Sequence, residues 1–134
     1  MYFKLLFILV SMTVVSSLTM AKELSLTKQL EFNPINKEKN VVGIVEGYDT
    51  KRYQIKAKSN QVLHVTMKSE GTHFNIYAPY KTKEDDALFV GKSQGKDFKG
   101  VLSKEGLYMI QVYLKTDEAE NDIKRIFEMH IELI

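Results

Sequence analysis

Apolar and polar residues alternate along most of this chain with a period of two, and that alternation predicts strands. It is cleanest in Leu107–Leu114, where Tyr108, Ile110, Val112 and Leu114 share one face and Leu107, Met109, Gln111 and Tyr113 the other. The second face is mixed rather than purely polar, which suits a strand in the middle of a sandwich. Tyr53, Ile55 and Ala57 alternate with Arg52, Gln54 and Lys56, and Leu63, Val65 and Met67 alternate with His64, Thr66 and Lys68. The short polar turn Ser59-Asn60-Gln61 between these two runs reads as the tip of a hairpin. Phe127, Met129, Ile131 and Leu133 give the closing strand, from about Arg125 to Ile134, its inner face.

Shorter apolar runs, Val41–Glu46, Phe74–Ala78, Ala87–Val90 and Asp97–Leu102, are set off by Gly- and Pro-bearing turns. Glu23–Phe32 reads as a first strand or an ordered arm. No segment keeps a helical period over three turns, although Ala119 and Ile123 allow a single turn within the charged stretch 115–124. The expected fold is all-β: a two-layer antiparallel β-sandwich of about eight strands, or a flattened barrel.

The N-terminus departs from this pattern. Lys4 precedes the apolar run Leu5–Val10, Val14, Val15 and Leu18 continue it, and Thr19-Met20-Ala21 ends in a small residue. That is the order of a secretory signal, so residues 1–21 are expected to be removed and residues 22–134 to form one exported domain. Ser11, Thr13, Ser16 and Ser17 interrupt the run, and no stable membrane span is expected after cleavage. The chain has no Cys, so sheet packing rather than disulfides must hold an exported domain of this size. Nineteen Lys and Arg oppose seventeen Asp and Glu, a near balance that gives no bulk support for a nucleic-acid or anionic-membrane partner.

Chemistry is sparse in the linear pattern. His64 and His130 fall on outward faces and His73 in a turn, none with a neighbour at metal-ligand spacing, so neither a metal nor a cofactor is expected. Asp85-Asp86 and Glu118/Glu120 lack the frame of a calcium loop. There is no nucleophile elbow, phosphate-cradling loop or Ser–His–acid signature, and the expectation is a protein that is not an enzyme. Tyr48, Tyr77, Tyr80 and Tyr113 are candidates for a sugar-stacking platform, against the plainer reading that they pack within the sheets.

One stretch carries a resemblance. Gly91-Lys92-Ser93-Gln94-Gly95-Lys96-Asp97-Phe98-Lys99-Gly100, followed by Leu102, Gly106-Leu107-Tyr108, Ile110 and Val112-Tyr113-Leu114, resembles the periplasmic inhibitors of invertebrate-type and goose-type lysozymes. The upstream Tyr48-Asp49, Tyr53 and Ala57, Gln61–Val65 and Phe74-Asn75-Ile76-Tyr77 fit the same order, and the likeness covers Val41 to Leu133. What the resemblance implies is a β-sandwich whose loops enter the peptidoglycan cleft of a lysozyme.

Ser93 and Gly95 look like the family's serine–glycine pair, here with Gln94 inserted, and Phe98 stands near its aromatic. The implied contacts are Lys92, Ser93, Gln94, Gly95, Lys96 and Phe98 in the first loop, with Lys115, Lys124 and Arg125 bordering the second. That second loop departs from the arginine-rich family pattern, carrying Asp117, Glu118, Glu120 and Asp122. A lysozyme cleft presents a catalytic carboxylate, so cations and neutral donors should enter it more readily than acids. The late Gly-x-Tyr strand also resembles sandwich modules appended to secreted peptidases, an alternative with carbohydrate binding and no inhibition. Whether the protein acts alone or as a homodimer is left open.

Overall fold

The computed structural model describes residues 27–134; the expected signal and its cleavage site lie outside the described residues. Among the described residues, nine strands form two sheets. They are β1 (Thr27–Leu30), β2 (Glu38–Glu46), β3 (Lys51–Ala57), β4 (Val62–Met67), β5 (Thr72–Tyr77), β6 (Phe89–Val90), β7 (Asp97–Val101), β8 (Gly106–Leu114) and β9 (Lys124–Leu133). One sheet runs β1-β3-β8-β5-β6 and the other β2-β9-β4-β7. All neighbours are antiparallel except β1, which lies parallel to β3. Two short α-helical turns, α1 (Gly91–Gln94) and α2 (Thr116–Glu120), and a 3-10 turn at Glu84–Asp86 interrupt the described strands.

The inward parities are those the alternation predicts. Tyr53, Ile55, Tyr108, Ile110, Val112, Phe74 and Ile76 of the first sheet face Leu63, Val65, Phe127, Met129 and Ile131 of the second, all buried. Tyr53 meets Phe127 edge-on across the interface, ring centroids 6.4 Å apart. β8 sits at the centre of its sheet, flanked by β3 and β5, as its two half-apolar faces require. A second aromatic contact closes one side of the sandwich. Phe74 of β5 stacks on Phe89 of β6 at 4.9 Å, and Phe89 meets Phe98 of β7, in the other sheet, at 5.5 Å.

The β3–β4 hairpin does not form. The two strands lie in different sheets, because β1 and β8 already occupy both edges of β3. Asn60, at φ 72°, turns the chain across the layers instead, and its N–H donates to Leu102 O at 2.7 Å. Alternation could not reveal this: a strand with one buried face has the same pattern whether the next strand pairs with it or packs opposite.

Tyr108 supplies a further lock. Its hydroxyl, on a buried ring, donates to Lys104 O at 2.7 Å and accepts from Lys104 N at 3.3 Å, tying the turn before β8 to the strand itself. This has the form of a tyrosine corner. Tyr108→Phe should lower unfolding free energy by about 1–2 kcal/mol, since it leaves a partly buried carbonyl and amide without partners. Urea unfolding checks this through a lower midpoint at unchanged slope.

Candidate functional site

The strand registers bring four connections to one end of the sandwich. Thr72 opposes Leu114, Lys51 opposes Val112, Glu46 opposes Lys124, and Asp97 opposes Thr66. The β2–β3 turn, the β4–β5 turn, α1 and the α2 connection therefore share that end. They are bonded to one another. Met67 N donates to Lys96 O at 2.9 Å, Lys115 N to Gly71 O at 3.1 Å, and Gly47 N to Ile123 O at 3.0 Å. Ser69 is the junction: its carbonyl accepts from Lys96 Nζ at 2.6 Å and its hydroxyl from Glu128 N at 2.7 Å.

The predicted loop is a single exposed helical turn rather than an irregular loop. It is anchored from beneath by Asn75, a buried amide on the outer side of β5. Asn75 Oδ1 accepts from Tyr113 Oη at 2.7 Å and from Gly91 N at 3.1 Å, while its Nδ2 donates to Tyr77 Oη at 3.1 Å. Tyr113 Oη in turn lies 3.4 Å from Lys92 N, and burial raises the Tyr113 phenol above its ordinary pKa. Gly91 must be glycine here, because a Cβ would stand 2.4 Å from Phe74 O. Gly95 ends the turn at φ 106° with nothing within 4 Å of where a Cβ would be, so that position faces open space.

Lys92, Ser93, Gln94, Gly95 and Lys96 are all exposed. Most of their polar groups also hold the turn together. Ser93 Oγ donates to Val90 O at 3.2 Å, Gln94 Oε1 accepts from Val90 N at 2.8 Å, and Lys92 Nζ pairs with Glu84 at 2.7 Å. Phe98 does not project. It is half-buried against the core between Phe89 and Gly100. Across the same end, Lys115 is exposed before α2, and Lys124 lies 4.0 Å from Glu46. Arg125 is engaged by Glu118, with Nε 3.2 Å and Nη2 2.5 Å from the same carboxylate oxygen, and its pKa is raised by that bond. One acid of the second loop thus faces its own arginine.

His73 lies among these elements, its ring 5.6 Å from Tyr113. Burial, then Lys115 and Lys96, hold its pKa below the ordinary imidazole value, against a smaller opposing pull from Glu118. Sequence spacing assigns His73 no role, because its neighbours come from β8 and from the α1 and α2 connections. Of the four tyrosines proposed as a platform, Tyr48, Tyr77 and Tyr113 line one cleft of about 270 Å³ beside this end, with Glu84, Gln111 and Thr116. Tyr80 stands apart, fully exposed. The hydroxyls of Tyr77 and Tyr113 are already bonded to Asn75.

Fold and site together define a β-sandwich whose loop connections are bonded into one end. No protein-family model and no curated protein sequence matches the chain. Among solved structures it is similar to Aeromonas hydrophila PliG, a periplasmic lysozyme inhibitor of g-type lysozyme, with TM-score 0.73 and 25% identity over 81% of this chain and 96% of that one. A mutant of the Escherichia coli inhibitor PliG-Ec matches with TM-score 0.66 and 21% identity, over 81% of this chain and 97% of that one. The pre-peptidase C-terminal domain of Bacillus anthracis collagenase shares the fold, with TM-score 0.53 and 14% identity over 81% of this chain and 94% of that one.

Asn75→Leu tests the anchor. Removing the amide leaves two phenols and the Gly91 N–H without a shared partner in a buried place, which should cost about 2–3 kcal/mol. Amide exchange at Gly91 and Lys92 should accelerate more than exchange in β9. Unchanged exchange at Gly91 would mean that α1 is held by something else.

Proposed function

We propose that this protein is an inhibitor of a goose-type lysozyme, acting as a binding protein in the periplasm rather than as an enzyme. The observation that carries the reading is the exposed, pre-ordered Lys92–Lys96 turn at the loop end. The similarity to A. hydrophila PliG along nearly that protein's whole length supports it. Goose-type is preferred to invertebrate-type because the inhibitors this fold resembles are directed against g-type enzymes.

In this reading α1 enters the substrate cleft and excludes peptidoglycan. Preorganisation is the physical basis of its affinity: a turn already bonded to Asn75, Tyr113 and Ser69 loses little freedom when it docks. Ser93 and Gln94 present polar groups, and Lys92 and Lys96 supply positive charge to a catalytic carboxylate by exchanging Glu84 and the Ser69 carbonyl for it. Lys115 and Lys124 are the second-loop cations left for the target, since Arg125 is held by Glu118. Phe98 supports the turn from within instead of touching the enzyme. The exposed acids Asp117 and Glu120 of α2 would meet basic surface beside the cleft rather than its floor.

The purified protein, titrated into cell-wall lysis assays, should stop a goose-type lysozyme at stoichiometric amounts, with invertebrate-type and chicken-type enzymes run beside it. Failure against all three would remove the assignment. Ser93→Asp should weaken binding to the susceptible enzyme more than tenfold, about 1.4 kcal/mol, with the melting temperature little changed because the Ser93 Oγ–Val90 O bond it removes is exposed. Equal affinity would place the contact elsewhere.

A further inference from the structure

We propose that the outer face of the four-stranded sheet carries a site for a divalent transition-metal ion of the zinc class, built from Glu38, His130 and Glu132. The placement follows from register and parity. β9 buries Phe127, Met129, Ile131 and Leu133, so Glu128, His130 and Glu132 point outward. Glu38 of β2 is the direct cross-strand partner of Glu132, and Asn40 that of His130. One ligand atom from each of Glu38, His130 and Glu132 lies within 4.8 Å of the other two.

Two details make this more than a coincidence of polar residues. Glu38 and Glu132 oppose each other directly, an arrangement that like-charge repulsion disfavours and that a bound cation would reverse. His130 is also oriented. Its Nδ1 is 2.8 Å from Asn40 Oδ1, which fixes the tautomer as Nδ1–H and leaves the Nε2 lone pair for a metal. Nε2 is 4.0 Å from Glu38 Oε1, too long for a hydrogen bond but within the span of two metal–ligand bonds of about 2.0–2.2 Å each.

Both carboxylates border a shallow depression with Ile35, Asn36, Lys37 and Ile134, leaving room for water to complete the coordination. Lys37 on that rim is the competing cation. One imidazole and two carboxylates favour zinc-like ions over magnesium or calcium, which select all-oxygen sites. His64, opposite Glu132 on β4, is drawn the other way by Asp97 at 2.8 Å and serves as the internal control. The site stands on the outer face of the sheet, on residues the lysozyme reading does not use, and does not depend on it.

The test uses chelator-treated full-length protein and ZnCl2, read by calorimetric titration and by the shift in melting temperature. One ion per chain should bind and raise the melting temperature, while MgCl2 at the same concentration should leave it unmoved. His130→Ala and Glu132→Gln should each weaken zinc binding at least tenfold, and His64→Ala should not change it. The proposal is overturned by an absence of binding to the parent protein. It is equally overturned by an equal shift with MgCl2, by retained binding in the His130→Ala/Glu132→Gln double variant, or by loss of binding in His64→Ala.

Discussion

The loop-built end of the sandwich depends on one buried amide. Asn75 lies on the outer side of β5, where a sheet would ordinarily meet water, yet it is 4% exposed because α1 closes over it. An amide in that position has a high cost unless its oxygen and nitrogen are bonded, and here both are. The same bonds make the turn rigid. Tyr113 and Gly91 converge on one oxygen, and lifting α1 would break the Gly91 N–Asn75 Oδ1 and Lys92 N–Tyr113 Oη bonds, leaving two amide donors unpaired. Gly91 completes the constraint, its missing side chain letting the turn lie against the Phe74 backbone.

How much of this was legible depended on whether a feature was local. Strand parity is local, and the inward rows of β3, β4, β8 and β9 follow directly from alternation. Pairing is not local. The β3–β4 turn looks like a hairpin tip until β1 and β8 are known to flank β3, and the parallel seating of β1 leaves no mark in four residues of sequence. α1 reads from sequence only as a Gly-flanked polar loop, because a four-residue turn is too short to show a helical period.

The loop-built end shows the same division. Gly-flanked polar residues marked Lys92–Lys96 as exposed, and they are. Charge availability could not be read the same way, since Lys92 turned out to be paired with Glu84 and Arg125 with Glu118. An aromatic in a polar loop suggests a contact, but Phe98 begins a strand whose parity carries it inward onto Phe89. The acids of α2, troubling as cleft contacts, are in part structural. Glu118 braces Arg125, and this leaves Asp117, Glu120 and Asp122 as the exposed acids of that loop.

Histidine shows where linear spacing stops being a guide in a sheet protein. Metal-ligand motifs are recognised when ligands fall close together in sequence, as on one helix or in one knuckle. A sheet assembles neighbours across strands: Glu38 and Glu132 lie far apart along the chain but face each other in register. Nothing in the local pattern around His130 distinguishes it from a solvated surface residue. The Asn40 side chain that orients its ring comes from β2, whose register against β9 is set by the buried residues beneath. The core therefore determines both polar sites of this molecule, holding the loop ends together at one extremity and aligning the outward rows of β2 and β9 on the flank.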